Sequence, residues 1–371
     1  MFLITTSIFF IYFGILFWYS NAIYYSKRLK NVTYNHNVSI IISAKNEEYN
    51  LPKLIKSLTN QSYPKNKYEI IIANDNSDDK TEELLNQYKK THKNLRSINI
   101  DQTPIGWSSK KWALTKAIEA SSSDIILQTD ADCIPRNKWI ESIVTCFDDA
   151  NVNFVCGPSY LSHKESFLDK IFRMESLVQE AMNAGSLENN LVLSCTGRNI
   201  AFRKEHFNSI NGYVGSEHIQ SGDDDLLLQK FALKTNGRIQ YSINPESLIE
   251  SKAPINFSSF LKQRLRYASK GLYYFTIKTT LEFKTIIIFL YMINTLFLVL
   301  LFSFFHYGNF LYTLPIFFKI AADFLISFIF ISKLNQYWSI RAFAVLSFLF
   351  PFYVTIIGLL GPLIKIGWKD K

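Results

Sequence analysis

The first 25 residues of the chain carry no charged side chain, and three further apolar stretches crowd its end at roughly 284–305, 310–332 and 340–364. A helix of 25 residues is about 38 Å long at 1.5 Å per residue, enough to cross a hydrocarbon core of about 30 Å. Each later stretch is near the same length. A cleavable secretion signal would show a basic leader, a shorter apolar run and a small-residue cleavage site, and the N-terminal stretch has none of these. The 31 Phe and 20 Tyr contribute heavily to these stretches. The pattern therefore predicts a chain anchored in a membrane at both ends, with a polar section between.

The formal net charge of +9 does not point to nucleic acid. Lys27, Arg28 and Lys30 follow the first apolar stretch, and Lys262, Arg264, Arg266 and Lys270 precede the second. Basic residues in such places suit the anionic inner face of a cell membrane. By the positive-inside rule, residues 26–283 lie in the cytoplasm and the N-terminus outside. Three full crossings would then strand Lys365, Lys369 and Lys371 on the outer side. A break at Pro351, making a re-entrant pair, would return them, and the sequence leaves both arrangements open. The expected organisation is an anchor at 1–25, a cytoplasmic domain at 26–255, an interfacial amphipathic region at 256–283 and a membrane region at 284–371. Cys133, Cys146, Cys156 and Cys195 lack zinc-like spacing and are expected as reduced, buried small hydrophobes.

Between the anchors, short apolar runs alternate with helical periodicity. Val38–Ala44 (VSIIISA), Tyr68–Ala73, Leu95–Ile100 and Asp124–Thr129 read as strands. Glu47–Gln61, Asp79–Lys90 and Lys110–Ala120 read as the helices between them. Such alternation predicts an α/β fold with a mostly parallel sheet covered on both faces. Ligands collect outside the carboxyl ends of such strands. Polar clusters follow three of them: SAKNEE at Ser43–Glu48, NDNSDD at Asn74–Asp79, and TDAD at Thr129–Asp132.

Asp130 and Asp132 are alternate residues at a strand end, so both carboxylates can face one cation. Hard oxygen ligands suit Mg²⁺ or Mn²⁺, and either ion can bridge a diphosphate. The same spacing also occurs in solvated turns. Asp75 can accept hydrogen bonds from a base or ribose, or simply form a turn. Asp79 is the better helix cap, with Glu82 three residues on. Asp223, Asp224 and Asp225 follow Ser221-Gly222. Adjacent acids repel and raise the pKa of at least one, which suits a general base, although an acidic helix start has the same composition. Gln263-Arg264-Leu265-Arg266-Tyr267 puts arginine beside an aromatic, able to hold phosphate and stack on a sugar, or to lie on lipid headgroups. Lys110 is a second candidate for a phosphate.

Taken in order, these segments resemble family 2 glycosyltransferases, which have a GT-A (Rossmann-like) fold. The resemblance runs from about Val38 to Gly271, roughly two-thirds of the chain. SAKNEE is similar to the opening motif that contacts the nucleotide base, nominating Ser43, Asn46 and Glu47. NDNSDDKT resembles DDGSTDGT and places Asp75 on the base- and ribose-binding aspartate. GWSSKKWAL resembles a donor-approaching segment with Lys110 at its lysine, and DAD matches the metal motif at Asp130 and Asp132. CTGRNIAFRKEHFNSINGY resembles the acceptor-side segment. Laying GDDDLLLQ over GEDxDLxxR puts the catalytic base on Asp224 and the preceding acid on Asp223. Leu226 and Gln229 depart from that pattern, and a slip of one residue would nominate Asp223 instead. QRLRY resembles QxxRW, with Gln263 and Arg266 retained and Tyr267 in place of tryptophan.

The resemblance implies a membrane-bound inverting hexosyltransferase that uses Mg²⁺ or Mn²⁺ and a UDP- or GDP-sugar. Asp132, with Asp130, would carry the metal, Asp224 would take the acceptor proton, and Arg266 would steady the leaving diphosphate. The acceptor is expected to be a saccharide in cell-surface glycan synthesis, or alternatively a membrane lipid such as a polyprenyl phosphate or a ceramide-like lipid. A catalytically inert membrane scaffold would have lost Asp130, Asp132 or the GDDD acids, and all are present.

Overall fold

A computed structural model describes residues 2–26, 34–162 and 166–363. The flanking charges Lys27, Arg28, Lys30, Lys365, Lys369 and Lys371 lie outside the described residues. From the N-terminus the elements are α1 (Phe2–Tyr25), β1 (Val38–Ala44), α2 (Leu51–Thr59), β2 (Tyr68–Asn74), α3 (Thr81–Thr91), β3 (Leu95–Asn99) and α4 (Ser109–Glu119). There follow β4 (Ile125–Gln128), β5 (Cys133–Pro135), α5 (Trp139–Val144), β6 (Val152–Cys156), β7 (Ser159–Leu161), α6 (Phe167–Glu188) and β8 (Ile200–Arg203). The chain continues through α7 (Lys204–Ser209), α8 (Asp225–Lys234), β9 (Arg238–Tyr241), β10 (Ile249–Ser251) and α9 (Phe257–Ala268). It ends with α10 (Tyr273–Thr276), α11 (Leu281–Tyr307), α12 (Thr313–Lys333) and α13 (Ile340–Leu360).

The main sheet has seven strands in the order β3-β2-β1-β4-β8-β6-β9, and β5-β10-β7 form a small second sheet. Strands β3, β2, β1 and β4 are mutually parallel, whereas β8 runs antiparallel to both β4 and β6. The result is the mostly parallel α/β sheet that the alternating pattern predicts. All seven residues of VSIIISA are buried, as a strand covered on both faces requires. In the register, Ala44 pairs with Asn74, and Ile41 with Gln128. The ends of β2, β1 and β4 thus deliver their following loops to one edge.

Two helix starts differ from the sequence reading. Helix α2 begins at Leu51 rather than Glu47, with Pro52 in its first turn. Proline lacks the amide that a later helical position needs, so the helix cannot extend back to Glu47 and the SAKNEE segment stays a loop. Helix α3 begins at Thr81, and its N-cap Lys80 makes no side-chain cap. Asp79 instead accepts from the amides of Thr81 (2.9 Å) and Glu48 (3.1 Å), tying two loops together rather than pairing with Glu82.

Among the described residues, four helices are long and apolar enough to cross a membrane: Phe2–Tyr25, Leu281–Tyr307, Phe310–Lys333 and Ile340–Leu363. The last runs unbroken through Pro351, so no re-entrant break occurs there. Its two ends are held by neighbouring helices. Arg173 of α6 donates to Gln336, just before α13, and Gly361 abuts Ala268 at the end of α9. Helix α1 packs against α12 and α6. The Lys333 ammonium donates to the carbonyls of Ile23 (2.6 Å), Tyr24 (2.8 Å) and Ser26 (2.6 Å), a cation capping a helix C-terminus.

A Cβ on Gly185 of α6 would lie 2.6 Å from the Tyr19 Cβ of α1, whereas one on Gly14 would meet nothing within 4 Å. Gly185→Leu is expected to cost about 1–3 kcal/mol by overpacking that seam, and Gly14→Leu to leave stability unchanged. Thermal melts of the two variants in detergent check this.

Candidate active site

The loops after β1 and β2 hold each other in shape. Asn46 adopts a left-handed backbone (φ 54°) that asparagine tolerates better than most residues. Its amide donates to the Ser77 hydroxyl and its side-chain oxygen accepts from the Asp78 amide, both at 3.0 Å. The Glu47 amide donates to the Thr81 hydroxyl at 2.8 Å, and Asn50 donates to the Glu47 carboxylate at 2.5 Å. Asp75 is buried, its amide donating to the Ala44 carbonyl at 2.8 Å. Within this stitched frame the Ser43 hydroxyl and Asp75 Oδ2 are buried atoms without a protein partner. Buried polar atoms are almost always satisfied, so two orphans at adjacent strand ends mark a place built for a polar ligand.

Beside them, ligand atoms of Asp130, Asp132 and Cys133 lie within 4.8 Å of one another. Burial, then Asp132 and Asp130, push the Cys133 thiol well above its usual pKa, and soft sulfur suits a hard divalent cation less well than carboxylate oxygen. The two carboxylates remain. Burial, together with Asp130 and Glu47, pushes Asp132 up to about 6, the mark of negative charge short of a counterion. Two oxygen donors with that deficit fit a hard divalent cation such as Mg²⁺ or Mn²⁺.

Lys110, in the first turn of α4, links this cluster to the distant GDDD motif. Its ammonium lies 2.9 Å from Asp130 Oδ1 and 2.8 Å from Asp223 Oδ2. Burial opposes the charge, but the two carboxylates together raise the lysine pKa well above normal. The residue expected to reach for a phosphate is thus engaged by two acids. Asp223 is further held by the Gln128 amide at 3.3 Å.

Asp224 caps α8. Its carboxylate accepts from the amides of Asp225 (2.7 Å) and Gly197 (2.9 Å), and Lys270 stands 3.7 Å away. Burial would push its pKa up, but Lys270, the Asp225 amide, Lys110 and the Gly197 amide hold it well below the usual carboxylate range. Asp225 shifts the other way: burial outweighs Lys270, at 2.7 Å, and Asp224 adds repulsion. The expected raised acid is therefore Asp225, whose carboxylate also accepts from the Tyr274 hydroxyl at 2.5 Å. Side-chain exposure falls from 21% for Asp224 to 10% for Asp223 and 5% for Asp225, so Asp224 is the most open of the three. Two glycines permit this packing. Gly222 has φ +85°, and a Cβ on Gly197 would stand 3.0 Å from Asp223 Oδ2. Gln229, where the pattern has arginine, donates to the Val192 carbonyl (2.8 Å) and accepts from the Thr280 amide (3.2 Å), fastening α8 to the start of α11.

The QRLRY segment splits. Arg264 turns inward and pairs with the buried Glu175 of α6, so it does not lie on headgroups. Arg266, its guanidinium 5.0 Å from the Tyr267 ring, and Tyr267 itself line a cavity of about 520 Å³ that Lys110, Asp130 and Asp224 also line. Gln263, Ser43, Asn46, Glu47, Asp75 and Asp132 are not part of that lining. Ser43 lies at the end of β1, and Asn46, Glu47, Asp75 and Asp132 belong to the loops after β1, β2 and β4. Sequence reasoning gave no site role to three cations on the cavity wall, Arg198, Lys270 and Lys319. Lys270 reads as one more charge flanking an apolar stretch. Arg198 follows the Gly197 that the acids require, a signal visible only once the segments are folded together.

Comparison with known proteins agrees with this geometry. Residues 39–210 match the family described as Glycosyl transferase family 2, and residues 125–358 match Glycosyl transferase family group 2. The chain is 24% identical over 249 residues to Probable glycosyltransferase YdaM of Bacillus subtilis, covering 66% of this chain and 57% of that protein. It is 33% identical over 134 residues to Beta-monoglucosyldiacylglycerol synthase of Nostoc sp., covering 36% and 28% of the two chains. The matches therefore span only part of these relatives. Among solved structures, mannosyltransferase PcManGT from Pyrobaculum calidifontis, in complex with GDP-Man and Mn²⁺, superposes with a TM-score of 0.58 at 16% identity, covering 97% of this chain and 99% of that one. At that identity the likeness is one of fold, and the fold is GT-A.

Lys270→Met removes the cation beside Asp224. A carboxylate whose folded pKa is depressed keeps its charge until the pH falls through that value, so losing Lys270 should carry the acid limb of the pH–activity profile upward, by about one pH unit or more. A profile that overlays the wild type would contradict this electrostatic role.

Proposed function

The chain belongs to glycosyltransferase family 2, and from that premise we propose that it moves a sugar from a nucleotide-diphosphate donor to an acceptor hydroxyl in a single inverting displacement. The observation that carries the reading is Asp224: the most open of three clustered acids, ionised, and facing a cavity that it shares with Asp130.

The nucleoside end of the donor lies over the loops after β1 and β2, where Ser43 and Asp75 offer unsatisfied oxygens and Asn46 and Glu47 frame the pocket. Asp132 and Asp130 would hold Mg²⁺ or Mn²⁺, which supplies charge neutralisation for the departing diphosphate when bound. The neighbour in complex with GDP-Man and Mn²⁺ supports both the donor class and the metal class. Arg266 and Arg198, both on the cavity wall, hold the leaving diphosphate. Lys110 neutralises Asp130 and Asp223, which leaves the more open Asp224 for proton transfer. Asp224 accepts the hydroxyl proton while the acceptor oxygen forms its bond to the anomeric carbon and the bond to the diphosphate oxygen breaks. A carboxylate anchored by two amides and one ammonium is held in place for that transfer.

The four apolar helices associate the chain with a membrane. We place residues 26–255 as the catalytic domain on the cytoplasmic side, 256–283 as the interfacial region, and 1–25 with 284–371 as the multi-pass membrane part. Basic residues flanking the apolar segments support this orientation. A saccharide acceptor in cell-surface glycan synthesis suits the motif set. A lipid acceptor is a second reading, favoured by the extension of the cavity to the membrane helices and by a relative named for a glucosylated diacylglycerol.

Asp224→Asn keeps the shape and removes the base. Transfer from a UDP- or GDP-sugar should fall by about 10²–10⁴-fold while nucleoside diphosphate still binds, and Asp223→Asn should lose less. Chelation of divalent metal should stop transfer, with Mg²⁺ or Mn²⁺ restoring it. Near-wild-type turnover by Asp224→Asn, measured as released nucleoside diphosphate, would remove Asp224 from the mechanism.

A further inference from the structure

We infer that the acceptor is a membrane amphiphile whose hydroxyl-bearing head sits at Asp224 and whose hydrocarbon tail lies deeper in the same cavity, against α11, α12 and α13. The inference rests on the glycosyltransferase reading and names the acceptor class for that site.

The cavity is continuous from the acids to the membrane helices. Past Arg266 and Tyr267 its wall is made by Leu290 of α11, Ile326 of α12, and Leu346, Phe350 and Ile357 of α13. All three helices are long and apolar enough to cross a membrane. A cavity of about 520 Å³ falls within the usual range for a small-molecule site, and its chemistry changes along its length from paired charges to hydrocarbon. That gradient matches a molecule with a polar head and an apolar tail.

The polar side chains on the deep wall are mostly spoken for. The Ser347 hydroxyl donates to the Phe343 carbonyl of its own helix at 2.9 Å, and the Asn294 amide nitrogen to that of Leu290 at 2.7 Å, while the Asn294 side-chain oxygen has no protein partner. The Tyr291 hydroxyl donates to the Thr355 carbonyl at 3.3 Å. Lys319 and Asp323 form an ion pair at 2.7 Å, and Tyr12 donates to the other oxygen of the same carboxylate at 2.5 Å. A glycan threaded here would need a hydrogen-bond partner for each hydroxyl and would find few. A hydrocarbon tail needs none, and gains by leaving water.

The test uses the full-length protein in detergent with a UDP- or GDP-sugar and acceptors that share one head, 1-O-alkylglycerols with tails from butyl to hexadecyl, alongside free short oligosaccharides. Transfer efficiency should rise roughly tenfold or more between the shortest and the optimal tail, and the labelled product should partition into organic solvent. Leu346→Trp, which fills the wall of the tail site, should shift the optimum to shorter tails. The wild-type series decides the matter even if that variant does not fold. Efficiency independent of tail length, or label found in water-soluble oligosaccharide or insoluble polymer, overturns the inference while leaving a working glycosyltransferase. Failure to bind nucleoside diphosphate, together with no transfer to any acceptor, overturns the underlying reading and this inference with it.

Discussion

Everything at this site depends on one ammonium group between two carboxylates. Asp130 follows a strand of the parallel half of the sheet, and Asp223 lies 93 residues later in the chain, before α8. Brought together alone they would repel, and in a poorly solvated cleft that repulsion is not screened. Lys110 sits within 2.9 Å of both and turns the repulsion into attachment. The rest of its segment reinforces the same joint. The Ser108 amide donates to the Glu217 carbonyl at 2.7 Å, and the buried Lys111 donates to the Ser216 carbonyl at 2.6 Å. Burial lowers the Lys111 pKa to about 8, with Asp223 pulling the other way. Helix α4 therefore clamps the loop that carries the acids to the end of the sheet that carries Asp130 and Asp132.

A second set of contacts joins the acids to the long apolar helices. Lys270 and Tyr274, on the segment between α9 and α11, both reach Asp225, and Gln229 of α8 grips Thr280 at the N-cap of α11. Arg264 of α9 pairs with Glu175 of α6, a helix that also packs on α1, α12 and α13. The sheet domain and the apolar helices are thus one packed body around the cleft.

Much of this was legible from residue order alone, for reasons that can be named. Runs such as VSIIISA have to be doubly buried strands, and strand ends in a parallel sheet gather ligands, which marked SAKNEE, NDNSDD and DAD. What escaped depended on tertiary partners or on one backbone detail. Helix α2 starts late because Pro52 tolerates only the first turn. Asp79 holds the start of α3 through the Thr81 amide and also ties two loops, because the Glu48 amide, remote in sequence, lies within reach. Pro351 leaves α13 intact. Arg264 turns inward because a buried glutamate waits 89 residues upstream. Lys270 and Arg198 matter only through what folding sets beside them, and no spacing rule announces that.

In the proposed mechanism a diphosphate and a divalent cation meet the carboxylates that follow β4, and Asp224 faces the same cleft from the start of α8. The most direct measurement is the anomalous scattering of Mn²⁺ in crystals grown with a nucleoside diphosphate. A peak held by Asp130 and Asp132, with diphosphate oxygens completing its coordination, the nucleoside over Asp75, and Asp224 facing the same space, is the predicted result. Nucleotide and metal bound on another face of the sheet, away from those three aspartates, would contradict it.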